Sequence, residues 1–401
     1  MNILFLTSTF PRSAGDQQAP FVLEQALAWR AKRPQDRIFI LAPHDQDAAL
    51  NETLDGIEIR RFRYMPSEQM QTLAYPAILP NIRKNPWRVF QIFPFLWSQY
   101  AAAKSIAREG KIDLVYAHWV MPQGLVALAL KRFVHLPYLL QNHSSDLSVF
   151  GKFGILGRRL ARAILRQAEA FFCVNSDQAV FARSLSPGLK CHVLPMGVSL
   201  DLNRSSRCNG VQGSKYAVGT ISRLSKKKGI HHLIDAAELL AMDGQPVPLG
   251  LAGDGEDAED LKARPIHADT HFTGFLSGSE KAGFFGDCFA MAFPSVNAEG
   301  DVEGMPVSLL EALVSGKPVI ASKATNIELL PEWQAIKDDV EFLDDPADTA
   351  AFACAIKRIL SLNLDEIQNR SRRLQHAMRH YTWDCLIEEY LSVADSVNFK
   401  G

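Results

Sequence analysis

Short, uninterrupted apolar runs alternate with amphipathic stretches along most of this chain. The runs at 3–6, 38–41, 114–116, 138–140 and 171–174 carry no charge. A strand with one solvated face alternates polar and apolar positions, so these runs read as strands buried on both faces. Helical patterns lie between them, for example at 22–31 and 160–168. Strand and helix in alternation predict a parallel sheet covered by helices. The rhythm stops near Val198. Residues 199–215 are polar and rich in Ser, Asn, Arg and Gly, which predicts a linker. It resumes with strand-like runs at 216–222, 248–252, 271–273, 288–293 and 318–321. Between the first two lies a helix over 232–242, with Leu233, Ile234, Ala237, Leu240 and Ala241 on one face. The fold class is therefore α/β, with two doubly wound Rossmann-like lobes, 1–198 and 216–380, facing a central cleft. In such sheets ligands bind beyond the carboxyl ends of the strands.

Composition narrows the class. Of 401 residues, 47% are hydrophobic and 22% charged, which excludes disorder, collagen and a disulfide-stapled miniprotein. A net charge of −1 leaves no basic excess suited to nucleic acid, so any electrostatic site must be local. Six widely spaced cysteines without a CxxC pair read as thiols in a reducing compartment. The opening residues lack the basic segment and long apolar core of a signal peptide. The apolar stretch 89–103 contains Pro94, and 114–130 is interrupted by His118, Pro122, Gln123 and Gly124, so neither is expected to span a bilayer. A cytoplasmic protein is the expectation.

Two stretches carry candidate chemistry. After the run ending near Pro294 comes a loop with Glu303 and Gly304, then Met305-Pro306-Val307 and a helix expected to begin near Pro306, with Glu311 inside it. Free N–H groups from Val307 to Leu309 would form an anion site. Carboxylates beside such a terminus suit a ligand bearing both hydroxyls and phosphates. In the second stretch, Arg223 and Lys228 lie in the turn after the second lobe's first strand. Fixed cations there can neutralise a diphosphate and stabilise it as a leaving group. Gly253-Asp254-Gly255 marks a tight turn at the same edge. The plainer alternatives are solvated acids and a solvated basic turn, which is the reading kept for Lys226 and Lys227.

The combination resembles the family 4 glycosyltransferases, retaining enzymes of the GT-B fold. It rests on Glu303-x7-Glu311, the Arg223/Lys228 turn, Gly253-Asp254-Gly255, and Thr273-Gly274-Phe275 followed by Ser279-Glu280. In the first lobe, Phe10-Pro11-Arg12 through Gln25, Ala117-His118-Trp119 and Asn142-His143 resemble the family's strand-end loops, and Leu194-Pro195-Met196-Gly197-Val198 its lobe end. His380-Tyr381-Thr382-Trp383 resembles the start of a terminal helix, 381–401, that crosses back to the first lobe. The resemblance implies roles. Glu303 would hold donor-sugar hydroxyls and Glu311 the ribose. Arg223 and Lys228 would bind the diphosphate, with Gly253, Gly304, Met305, Pro306 and Val307 around the donor. Backbone near Phe275 and Leu276 would read the base. Gly15, His118 and His143 would stand on the acceptor side, His143 lining the reacting centre. No cofactor and no metal are implied; the nucleotide diphosphate sugar is a co-substrate, and a glycan or glycolipid of cell-surface polysaccharide synthesis is the acceptor. After Ala321-Ser322 the family's usual Gly-Gly is replaced by Ala324-Thr325-Asn326.

Other signals are weaker. Asp45-Gln46-Asp47 matches a short metal–nucleotide pattern but sits away from the donor motifs, and His376 and His380, four apart, lack a third ligand. The segment from Lys152 to Arg166 is basic without an acid, with Arg158, Arg162 and Arg166 on one stripe and Leu156, Leu160 and Ile164 on another. It fits a helix lying on an anionic membrane, at the inner face of the cell membrane, or a core-packed helix with a basic outer face. The aromatic segment Trp87, Phe90, Phe93, Phe95, Trp97 and Tyr100 fits an acceptor-lipid groove or plain core. A nucleotide-sugar epimerase, a phosphorylase and a non-catalytic sugar-nucleotide-binding subunit are the competing functions. A dinucleotide dehydrogenase is disfavoured, because no GxGxxG follows either lobe's first strand.

Overall fold

The computed structural model describes residues 1–13, 16, 19–46, 48–143, 154–206, 210–264, 267–297 and 305–397. The chain forms two compact units: Met1–Gly197 together with Trp383–Gly401, and Val198–Thr382.

Among the described residues the first unit holds an eight-stranded sheet. Its strands are β1 (Asn2–Leu6), β2 (Arg37–Pro43), β3 (Asn51–Leu54), β4 (Ile57–Phe62), β5 (Leu114–His118), β6 (Tyr138–Gln141), β7 (Ala170–Cys173) and β8 (Cys191–Val193). They lie in the order β3-β4-β2-β1-β5-β6-β7-β8, parallel except for β3 against β4. Chain direction reverses about β1, whose neighbours β2 and β5 lead to opposite edges. Leu4 and Leu6 face a core shared with Phe95, Ile106, Val126 and Ile164 from the helices Ile92–Glu109, Gln123–Val134 and Gly154–Gln167. On the other face Phe5 packs edge-on against Trp29 of the helix Pro20–Lys32. Further along, Phe172 packs against Tyr390 of the helix Trp383–Asp395. That helix also pairs Lys32 with Glu388 at 3.0 Å and Arg33 with Asp395.

The second unit holds a six-stranded, all-parallel sheet among the described residues: β9 (Tyr216–Ile221), β10 (Leu249–Ala252), β11 (Thr270–Gly274), β12 (Cys288–Phe293), β13 (Val319–Ser322) and β14 (Val340–Leu343), in the order β11-β10-β9-β12-β13-β14. Here the direction reverses between β9 and β12. The helix Ile230–Met242 covers one face with Leu233, Ile234, Ala237 and Leu240 buried, while Ala241 stays half-buried.

The boundaries differ from the sequence expectation at both junctions: the second unit runs from Val198 to Thr382 rather than from 216 to 380, and the terminal helix begins at Trp383 rather than 381. The stretch 199–215 is not a free linker. It begins inside the second unit, where Val198 bridges Thr382 and its N–H donates to Tyr381 O at 2.8 Å. It then forms the short helices Leu202–Ser205 and Gly210–Gly213. Ser205 meets Ser315 in a buried hydroxyl pair at 3.0 Å. A Cβ on Gly286 would stand 2.6 Å from Arg204 O, so only glycine there lets the two backbones approach. The polar composition reflects hydroxyl pairing and close backbone packing.

Candidate active site

The donor-side candidates gather at the carboxyl edge of the Val198–Thr382 sheet, around the point where strand order reverses. After β9 the chain turns through Ser222 and Arg223 into a single 3-10 turn, Lys226–Lys228. Gly229 follows at φ +64° and opens the helix Ile230–Met242. A Cβ on Gly229 would lie 1.9 Å from Pro294 O. The turn thus rests directly on the chain leaving β12, and Val296 N–H donates to Lys227 O at 2.8 Å. On the other side, Leu224 N–H donates to Asp254 O at 2.9 Å, and Gly253 N–H to Gly274 O at 2.8 Å. Ser322 Oγ donates to Ser295 O at 2.6 Å, tying β13 to the same edge. Backbone bonds therefore join the ends of strands β9 to β12 into one platform, and the Ser322 hydroxyl adds β13.

Arg223 is exposed, with Nε 2.8 Å from Glu256 Oε2. Lys228 is half-buried in its turn. Of the two neighbours expected to be solvated, Lys226 is exposed and Lys227 half-buried. Phe275 is exposed and Leu276 half-buried in the loop after β11. The helix expected near Pro306 spans Val307–Val314, with Pro306 as its buried N-cap and Met305 half-buried before it. One detail is corrected. Leu309 N–H already donates to Pro306 O at 3.0 Å, because the carbonyl of an N-cap residue accepts the first bond of its helix. The anion-facing donors reduce to Val307 and Ser308. Glu311 is buried, its Oε1 2.5 Å from Lys281 Nζ on the helix Gly278–Asp287. Lys281 was not foreseen from sequence; its place one turn into the helix after Phe275-Leu276 was the available signal. Glu303 and Gly304 lie outside the described residues, as does Gly15.

A second group lies at the carboxyl edge of the first unit's sheet. His118 ends β5 and is fully buried, while His143, two residues past β6, is half-buried. His118 Nδ1 and His143 Nε2 are 3.0 Å apart, and the rings stack within 7° of parallel at 5.2 Å. Phe21 and Trp119 enclose His143, with ring centroids at 4.6 and 4.8 Å. Trp119 holds φ at +73°, a conformation that non-glycine residues adopt at an energetic cost. Burial holds both imidazoles below their ordinary pKa, for His118 well below, and His143 further lowers His118. Both rings are therefore neutral near pH 7. His118 Nε2 is buried with no hydrogen-bond partner among the described residues. A proton there would leave an N–H unsatisfied, so the favoured tautomer of His118 donates from Nδ1 to His143 Nε2 and puts the His143 proton on Nδ1.

Residues 25–202 match the family model described as Glycosyltransferase Family 4, and residues 203–380 match that of Glycosyl transferases group 1. The chain belongs to glycosyltransferase family 4. The chain is similar to TuaC of Bacillus subtilis (strain 168), a protein named as a teichuronic acid biosynthesis glycosyltransferase. It is 24% identical over 82% of this chain and 83% of its own. The alpha-monoglucosyldiacylglycerol synthase of Streptococcus pneumoniae (strain ATCC BAA-255 / R6) is 23% identical over 79% of this chain and 70% of its own. In fold the chain is similar to a UDP-forming trehalose-phosphate synthase from Burkholderia xenovorans, with TM-score 0.69, 15% identity and 99% of each chain covered. This family 4 protein is therefore a glycosyltransferase of the two-lobed GT-B fold.

The remaining sequence signals resolve at the surface. Asp45 pairs with Arg12 at 3.1 Å, Asp47 lies outside the described residues, and no metal-ligand group of three occurs among those described. His380 is not in the helix of His376, which ends at Met378; it meets Glu332 at 3.0 Å. No helix among the described residues is long and apolar enough to cross a membrane. In the helix Gly154–Gln167, Arg158, Arg162 and Arg166 are exposed as one face. The expected apolar stripe is not continuous, since Leu156 is exposed, Leu160 half-buried and Ile164 buried. Lys152 lies outside the described residues. The aromatic segment is not core: Phe95 alone of its six aromatic residues is buried, and Trp87, Phe90, Phe93 and Trp97 are exposed.

Proposed function

We propose that the enzyme transfers a sugar from a nucleotide diphosphate sugar to a glycan or glycolipid acceptor with retention of anomeric configuration, in the synthesis of a cell-surface polysaccharide. The observation that carries this reading is the platform at the β9/β12 reversal, where Arg223 and Lys228 share one turn resting on the chain that leads to the Val307 helix terminus. Arg223, Lys228 and the N–H groups of Val307 and Ser308 bind the diphosphate and stabilise it as it departs. Glu311, oriented by Lys281, accepts from the ribose hydroxyls, Glu303 holds the sugar, and the backbone at Phe275 and Leu276 reads the base. Gly253 lets the turn after β10 close on the Ser222 backbone, where a Cβ would stand 1.8 Å from Ser222 O, and so shapes the donor side of the platform, and Gly304, Met305 and Pro306 lead into the phosphate-binding terminus. On the acceptor side His143, oriented by His118, shapes the reacting face, and Gly15 admits the substrate. The acceptor oxygen attacks the anomeric carbon on the face that the diphosphate leaves, and the acceptor's proton passes to a leaving phosphate oxygen. The charge stabilisation comes from side chains and a helix terminus, so no metal is needed. The acceptor class is favoured by relatives named for teichuronic acid and glycolipid synthesis. The exposed basic face of the helix 154–167 holds the enzyme on anionic membrane.

Replacing Arg223 or Lys228 with alanine should lower turnover about 10²–10³-fold, the scale of losing one preorganised electrostatic stabiliser. The donor must displace Glu256 from Arg223, so Glu256→Gln should lower the donor KM with turnover kept. NMR of the product should show the donor's anomeric configuration, and chelator should leave activity intact. An inverted product, or near-normal turnover of Lys228→Ala at saturating donor, overturns the mechanism.

A further inference from the structure

Four of the exposed aromatic residues of the first unit, Trp87, Phe90, Phe93 and Trp97, follow one another along ten positions of chain and make up a ladder in sequence. Trp87 and Phe90 stack at 5.8 Å in the 3-10 helix Pro86–Gln91, and the line continues through Phe93 and Trp97, four residues apart on the next helix. Their exposures are 76%, 70%, 75% and 63%, where a fold that needed them for its core would bury them. From Met70 to Arg108 the chain has no acidic residue, while Arg83 and Lys84 are exposed beside the ladder.

Topology places a second apolar point at the same edge. The helix Ile92–Glu109 leads into the amino end of β5, so its first turns lie toward the carboxyl edge of the sheet. The helix Gly154–Gln167 leads in the same way into β7, and its first turn exposes Ile155 (75%) and Leu156 (77%) beside Arg158 and Arg159. The helix Gln123–Val134 packs between the two. His118 and His143 stand at that same edge.

We infer that this rim inserts into a bilayer bearing anionic lipid, with the aromatic ladder at headgroup depth and Ile155 and Leu156 as a second anchor. Aromatic rings between apolar tails and wet headgroups, flanked by cations, are the chemistry of an interfacial docking face. The cations Arg83 and Lys84, in a stretch of chain without an acidic residue, match a negative surface. The inference extends the membrane reading of the basic helix from attraction to insertion, and orients the acceptor edge toward the lipid.

The test uses the full chain with vesicles of phosphatidylcholine, alone or mixed with phosphatidylglycerol. Serine at Trp87, Phe90, Phe93 and Trp97 together should weaken binding to mixed vesicles about tenfold or more, as expected for losing several buried rings. These side chains are exposed, so circular dichroism should not change. Bromine on the lipid acyl chains should quench the protein's fluorescence, and Trp87→Phe with Trp97→Phe should remove that quenching while binding is kept. Arg158→Glu, Arg162→Glu and Arg166→Glu tests the basic helix separately. If that variant loses binding while the serine variant binds normally without quenching, insertion is overturned and the basic-helix reading stands. If the unmodified protein binds neither vesicle, both are overturned. If it dimerises in solution and the serine variant does not, the ladder is a contact between copies and the inference fails.

Discussion

The stacked histidines link burial to pH. An imidazole that stays neutral in the folded enzyme titrates near pH 6.5 once the chain unfolds. His118 and His143 both have lowered folded values through burial. Their contribution to stability is therefore fully present above about pH 6.5. It is lost as pH falls from there toward the folded values, because the unfolded chain takes up protons that the folded one refuses. Each ring should add a slope of about 1.4 kcal/mol per pH unit in that range. Urea denaturation at successive pH values between 7.5 and 5 should show the decline, and His118→Gln should remove about one ring's share of it. An unchanged slope in the variant would mean that the ring titrates normally. The sequence displayed both histidines at strand ends, but not that they meet. Strand order brings β5 and β6 side by side with His118 opposite Gln141, and that pairing is a long-range fact. Lys281 was hidden for a related reason: it reaches Glu311 across 30 positions of sequence.

At the scale of elements, the buried strands were legible because parallel strands covered on both faces must be apolar throughout. β3 was not, since all four of its residues are exposed and it pairs antiparallel at the sheet edge. The aromatic segment shows the limit of reading burial from hydrophobicity, since Phe95 is buried while Phe93 beside it is not. The turn before the helix Ile230–Met242 is the most constrained element of the candidate site. Gly229→Ala puts a side chain at φ +64° and a carbon 1.9 Å from a backbone oxygen that cannot swing away. The variant should lose at least about 2 kcal/mol in chemical denaturation. Its donor KM should rise as the turn lifts from Pro294. An alanine variant with unchanged stability and kinetics would show that the platform is not held by this approach.

At the scale of the whole molecule, the first unit is built from two distant pieces of chain. The helix Trp383–Asp395 buries Trp383, Leu386, Ile387, Tyr390 and Leu391 in that unit, and Tyr390 donates to Leu194 O at 3.2 Å. Uncovering these side chains removes on the order of 10 kcal/mol of burial, comparable with the whole stability of a domain. A protein ending at Thr382 should keep a protease-resistant Val198–Thr382 unit while the rest is digested. Limited proteolysis with mass spectrometry reads this directly, and survival of both units would sink the argument.

The same discontinuity sets an order on the ribosome. Domains usually mature in the direction of synthesis, the amino-terminal one first. Here the amino-terminal unit waits for a helix translated after the entire second unit. The second unit is complete as soon as Thr382 emerges, whereas the first spends nearly the whole of translation with Phe172 and the end of the helix Pro20–Lys32 uncovered. The half of the enzyme made first is thus the half finished last, and it is the nascent half that a chaperone would meet.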